Sequence, residues 1–89
     1  GARRMKMLNS GFSSYIPMNK IKAVVPYESN RIKKEIQQLR DEDRPGRLLD
    51  LTKKKAVKTV IIMDDDTYVL SNVSVETIIK RVREEEDNE

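Results

Sequence analysis

Apolar residues are densest in the second half of the chain. Thr59-Val60-Ile61-Ile62-Met63 carries no charge, Asp64-Asp65-Asp66 follows it, and Tyr68-Val69-Leu70 is apolar again. Two short β-favouring runs separated by a polar turn predict a β-hairpin with an acidic tip. Alternation puts Val57, Thr59, Ile61 and Met63 on one face and Val60 and Ile62 on the other. A strand apolar on both faces has to be covered on both. One cover is expected to be a helix, and the other is open to a neighbouring subunit.

Helical spacing appears twice. Ile32, Ile36 and Leu39 recur at i, i+4, i+7, behind Ser29 or Asn30 as candidate caps. This helix is expected to run to about Asp43 and to end at Arg44-Pro45-Gly46. Val75, Ile78, Ile79 and Val82 recur at i, i+3, i+4, i+7, behind Asn72 or Ser74. Upstream, residues 5–16 suggest a short strand interrupted at Asn9-Ser10-Gly11 and broken by Pro17. Residues 19–25 alternate into an apolar pair and read as a strand capped by Pro26. Arg47–Leu51 is a short strand or an extended link. The resulting class is α+β, a twisted antiparallel sheet flanked by two helices.

Length sharpens this picture. Eighty-nine residues make one small domain, and such chains bury only about 60–65% of the surface they expose when unfolded. Four aromatics and no Trp thin the core further, and Cys and His are both absent. Disulfides and the usual zinc sites are therefore unavailable, leaving self-association as the remaining staple. Residues 7–83 are expected to form the domain, residues 1–6 a flexible N-terminus (Gly1–Arg4 reading as a cloning remnant), and residues 84–89 a disordered acidic tail. No run approaches the ~18–20 apolar residues of a membrane span, so a soluble, cytoplasmic protein is expected.

Charge is unevenly spread. Residues 1–58 carry a net +9 and residues 59–89 a net −6, a split that points to a polyanion-binding surface and an acidic tail. Lys53, Lys54, Lys55 and Lys58 concentrate positive charge over six positions, with Lys20 and Lys22 on another strand. Ammonium groups at this density attract phosphate backbones through counterion release. Few aromatics lie among them, which disfavours a base-stacking platform. Arg31, Lys33 and Lys34 read as a solvated helix face. No catalytic constellation is present, since the carboxylates at the hairpin tip have nothing to raise a pKa. A calcium loop starting at Asp64 would need Gly sixth and an acid twelfth, where Val69 and Val75 stand. No enzyme, cofactor, metal or small-molecule ligand is expected.

Asn9-Ser10-Gly11-Phe12, Asn19-Lys20-Ile21 and Glu28-Ser29 with Ile32-Lys33-Lys34 resemble the start of the RemA family of small bacterial regulators, named for control of extracellular-matrix genes. Asp50-Leu51-Thr52, Val60-Ile61-Ile62-Met63-Asp64, Leu70-Ser71 and Glu76-Thr77 continue the resemblance in order, over roughly residues 7–82. It implies a LytTR-like, strand-dominated fold, assembly into closed homo-oligomeric rings, and duplex DNA engaged along a basic rim. The family has Asn-Arg where this chain has Asn19-Lys20, and Gly-Arg-Arg where it has Lys54-Lys55-Ala56, followed by a basic position matching Lys58. Lysine keeps the charge but lacks the guanidinium fork that reads guanine. A segment around Glu42 to Pro45 is added.

The expectation is thus a ring-forming, DNA-binding transcription regulator that uses Lys20, Lys53, Lys54, Lys55 and Lys58. An RNA-binding protein using the same lysines, and a ring-forming protein-interaction module, are the alternatives.

Overall fold

The computed structural model describes residues 6–11, 14–42 and 47–87. Eight elements follow in chain order: β1 (Met7–Asn9), β2 (Tyr15–Pro17), β3 (Ile21–Pro26), α1 (Asn30–Asp41), β4 (Leu48–Asp50), β5 (Thr59–Met63), β6 (Tyr68–Ser71) and α2 (Val75–Asp87). A 3-10 turn, Met18–Lys20, leads into β3. Strands β1 and β2 form a separate antiparallel ribbon, and the other four form one sheet in the order β3-β5-β6-β4.

That sheet is mixed, which corrects the all-antiparallel expectation. Strand β4 lies parallel to β6, with Leu48 opposite Tyr68 and Asp50 opposite Leu70. The cause is the α1 connection. The helix carries the chain back to the end of the sheet where β3 began, so β4 runs in the same direction as β3. The expected hairpin is present, with Thr59 opposite Ser71 and Ile62 opposite Tyr68. Strand β3 pairs antiparallel to the other side of β5, with an irregularity at Lys22 between Ile21 and Ala23.

Each face of β5 meets its own core. Ile61 and Met63 join Leu8, Ile16, Val69 and Ile78 on the side of α2 and the β1–β2 ribbon. Val60 joins Ile36 and Leu70 beneath α1, with Ile32, Ile62 and Tyr68 packed around them. Both covers therefore come from the same chain, where the sequence leaves one open to a neighbour. Val57 packs with the α1 layer, against the alternation rule, because the strand starts only at Thr59. Among the described residues, nine apolar ones are buried. At roughly 1.5–3 kcal/mol for each fully buried aliphatic side chain, two such small cores are individually marginal and depend on sharing β5 and β6.

The helices obey their local signals. Ser29 caps α1, its Oγ accepting from the Ile32 N–H at 3.2 Å, and Ser74 caps α2 by accepting from the Thr77 N–H at 3.3 Å. Ile79 departs from the expected stripe and stays 41% exposed while Ile78 is fully buried. Helix α2 continues through Asp87, into the stretch whose composition suggests a disordered tail. Residues 1–5, the 43–46 segment expected to end the first helix, and Asn88-Glu89 lie outside the described residues.

Polar bonds fix the ribbon to the sheet and to α2. The Ser71 hydroxyl donates to the Ser10 carbonyl at 2.5 Å, and Arg81 Nη1 donates to the Asn9 carbonyl at 2.8 Å. Gly11 completes this junction at φ +124°, where an added Cβ would lie 2.7 Å from Asn72 Oδ1. Both strain and collision therefore oppose a side chain here. Gly11→Ala is expected to lower stability by about 1–3 kcal/mol, read as a fall in unfolding midpoint in denaturant.

Candidate nucleic-acid interface

The connection from β4 to β5 must pass the end of β6, the strand between them. It leaves where the Leu51 N–H donates to the Leu70 carbonyl and returns where the Lys58 N–H donates to the Ser71 carbonyl, both at 2.9 Å. Residues 52–57 therefore form an arch whose feet rest on consecutive β6 carbonyls. Its inner anchor is Thr52, 1% exposed. The Thr52 N–H and hydroxyl both donate to Asp50 Oδ1, at 2.9 and 2.5 Å. Lys53, Lys54, Lys55 and Lys58 are all exposed.

The arch is tightly wound. Lys53 and Lys54 adopt left-handed backbones, φ 50° and 71°, and the Lys55 N–H closes on the Thr52 carbonyl at 3.0 Å. Each such conformation costs a non-glycine residue roughly 1–2 kcal/mol, so surrounding bonds must hold it in place. The Asp50–Thr52 pair performs that role. Burial pushes the Asp50 carboxyl up, but the Thr52 hydrogen bonds and the Arg40 charge outweigh it and hold the group below its ordinary 3.8. Arg40 Nη2 lies 3.9 Å from Asp50 Oδ2. The Asp50-Leu51-Thr52 run, read in the sequence only for its family resemblance, also has the Asp-x-Thr spacing of a side chain capping its own turn.

Both helices begin at this same end of the sheet. Helix α1 starts soon after β3 ends beside Thr59, and α2 starts soon after β6 ends at Ser71. Each N-terminus adds the equivalent of about half a positive charge to the lysine arch, falling off within a turn. Glu28 and Glu76 stand nearby, lining a shallow groove with Lys58, and offset part of it. Among the described residues, no ion pair within 4 Å engages Lys54, Lys55 or Lys58.

Lys20 is elsewhere. Its carbonyl accepts from the Asp64 N–H at 2.8 Å, so it sits beside the acidic hairpin tip. Lys58 and Asp64 flank β5 six residues apart, which separates the two locations by roughly 20 Å at ~3.3 Å per residue. Lys22 lies at the same tip, 3.2 Å from Asp66 Oδ1. Asp65 is held below its ordinary 3.8 by hydrogen bonds from Thr67, with the Lys20 charge a lesser cause. One chain thus brings together four of the five expected contact residues and leaves the fifth at the opposite end. Arg31 pairs with Glu35 at 3.4 Å and Lys33 stands 5.6 Å above the Tyr27 ring, in keeping with a solvated helix face. Among the described residues, no helix is long and apolar enough to cross a membrane.

A family model described as RemA-like, extracellular matrix regulatory protein A-like, matches residues 7–82. The chain belongs to the RemA-like family. Similar proteins include one from Carboxydothermus hydrogenoformans, 38% identical over 96% of this chain and 94% of its own length. One from Bacillus pumilus is 37% identical over 93% and 90%, and one from Clostridium beijerinckii 37% over 93% and 89%. Each is provisionally named a regulatory protein. The family match spans both cores and the whole lysine arch.

Two outcomes check the arch. Lys54→Gly is expected to raise stability by about 1 kcal/mol in denaturant titration, because glycine adopts φ 71° without the side-chain penalty. The folded-state depression at Asp50 means its stabilising contribution is complete above 3.8 and disappears as pH falls through the lower folded value. Thr52→Val removes one of its hydrogen bonds. The stability gap between wild type and variant is therefore expected to narrow as pH falls below about 4 in thermal melts.

Proposed function

We propose that this RemA-like protein is a transcription regulator that binds duplex DNA through Lys53, Lys54, Lys55 and Lys58. The observation that carries the reading is the arch itself. Four exposed ammonium groups sit on a braced loop, at the sheet end where two helix N-termini converge. That arrangement suits phosphate contact, which needs density of charge more than exact direction. Lysines give a grip on phosphate, and sequence preference then comes from how readily the duplex bends.

The regulator works as a closed homo-oligomeric ring of LytTR-like subunits, in the cytoplasm, on genes of the extracellular-matrix class that the family description names. Head-to-tail assembly accounts for Lys20, which lies at the far end of its own sheet and meets the DNA beside the arch of the next subunit. A ring also multiplies a weak patch, since each further contact along one duplex is effectively intramolecular.

Lys55→Glu with Lys58→Glu is expected to abolish duplex binding in gel shifts while the assembly mass by light scattering stays unchanged. Unchanged affinity would remove the arch from the interface. Wild-type affinity is expected to fall by orders of magnitude between 50 and 200 mM salt. Competition by RNA equal to that of duplex DNA would turn the reading toward RNA, and binding indifferent to salt would turn it toward a protein partner.

A further inference from the structure

The two layers covering the sheet leave opposite kinds of surface exposed. On the α1 side, the helix leans toward β4, as the approach of Arg40 to Asp50 shows. Coverage thins toward the outer strand β3. A groove of about 520 Å³ opens there, floored by Val25, Ile32, Ile62 and Tyr68. Val60 and Leu70, further in, are completely buried. Glu28 and Glu35 line the groove with Arg31. Glu35 accepts hydrogen bonds from both Arg31, at 3.4 Å, and the Tyr68 hydroxyl, at 3.0 Å.

On the other side, the β1–β2 ribbon turns Leu8 and Ile16 into the core. Met7, Asn9, Tyr15 and Pro17, which alternate with them along the two strands, face outward. Met7 stands opposite Pro17 and Asn9 opposite Tyr15, so Met7, Pro17 and Tyr15 form one apolar patch. Tyr15 is 57% exposed and Met7 39%. Lys6 precedes the patch in sequence, and the Arg81 guanidinium is bonded at its edge to the Asn9 carbonyl.

We infer that the ribbon patch of one copy docks into the α1–β3 groove of the next, with Tyr15 as its anchor. The occupant is a second copy because the chain carries both halves of a matching pair. The groove is apolar, and its rim carries two carboxylates against one cation, with Arg31 and Tyr68 already on Glu35 and Glu28 exposed; the patch is an aromatic with the Arg81 guanidinium near its edge. A tyrosine suits such a site, its ring filling the apolar floor and its hydroxyl donating to a carboxylate. The two surfaces lie on opposite faces of the sheet, so one chain cannot satisfy itself. The contact is heterologous, and repetition closes a ring when the rotation allows. This inference rests on the ring reading above and specifies its interface.

The absence of cysteine gives a clean test. A chain carrying Tyr15→Cys and Glu28→Cys is expected to form a ladder of disulfide-linked oligomers on mild oxidation. Each single variant is expected to yield at most dimers. Tyr15→Cys paired with Ile79→Cys serves as control, because Ile79 is exposed on α2 outside both surfaces, and no ladder is expected. Tyr15→Ala is expected to raise the concentration at which the assembly dissociates by about 30-fold, the loss typical of an aromatic anchor. Glu28→Arg, at an exposed position, is expected to weaken it in the same direction with the fold intact by circular dichroism. An assembly that persists in both variants, or a ladder as strong in the control, would overturn the interface while leaving the ring standing. A monomeric wild type would overturn both, and gel shifts would still judge DNA binding separately.

Discussion

One strand has to be buried twice. Val60 and Ile61, adjacent in β5, are each completely inaccessible, and adjacent strand residues point to opposite faces. Two hydrophobic layers must therefore be built from fewer than ninety residues. The chain does so by giving each layer about half its material: α1 above, and α2 with the short ribbon below. Neither layer is large enough to fold against solvent alone. A change in β5 is felt in both.

The lysine arch follows from the same constraint. Placing β5 and β6 at the centre forces β4 to the outside, and the chain must then step over the end of β6 to reach β5. The backbone there has lost its ladder partners, so the segment is polar and braced by turns. Its positive charge lies where the helix termini already favour anions. Topology and electrostatics thus select the same end of the molecule, and the acidic turn between β5 and β6 marks the other.

Much of this was legible from residue order. The hairpin, both amphipathic helices and the Ser29 cap are written in local spacing, which is where short-range physics acts. The partition of β5 into two faces follows from alternation alone. Three things were not legible. The parallel placement of β4 depends on where a helix delivers the chain, which no window of residues records. The exposure of Ile79 depends on how wide a stripe α2 presents, and its partners are remote in sequence. The separation of Lys20 from the arch depends on strand direction, because composition registers charge without position. The left-handed backbone at Lys54 offers a physical reason for the glycine that the RemA pattern carries there: a position at φ 71° suits a residue without a side chain.

The two layers are attached by different means. The ribbon is tied to the sheet by the Ser71 hydroxyl on the Ser10 carbonyl, and to α2 by the Arg81 guanidinium on the Asn9 carbonyl. Helix α1 rests on its sheet mainly through aliphatic contacts, with Tyr68–Glu35 and Arg40–Asp50 as half-exposed polar links. Directional bonds break when displaced by an ångström, whereas greasy surfaces slide. The lower layer is therefore held by short directional bonds and the upper one mostly by packing. Amide hydrogens of β1 are expected to exchange in concert with β5 and β6, while the last turn of α1 opens on its own, at lower cost. Any load on the arch passes first into the sheet, through the bonds that Leu51 and Lys58 make to β6.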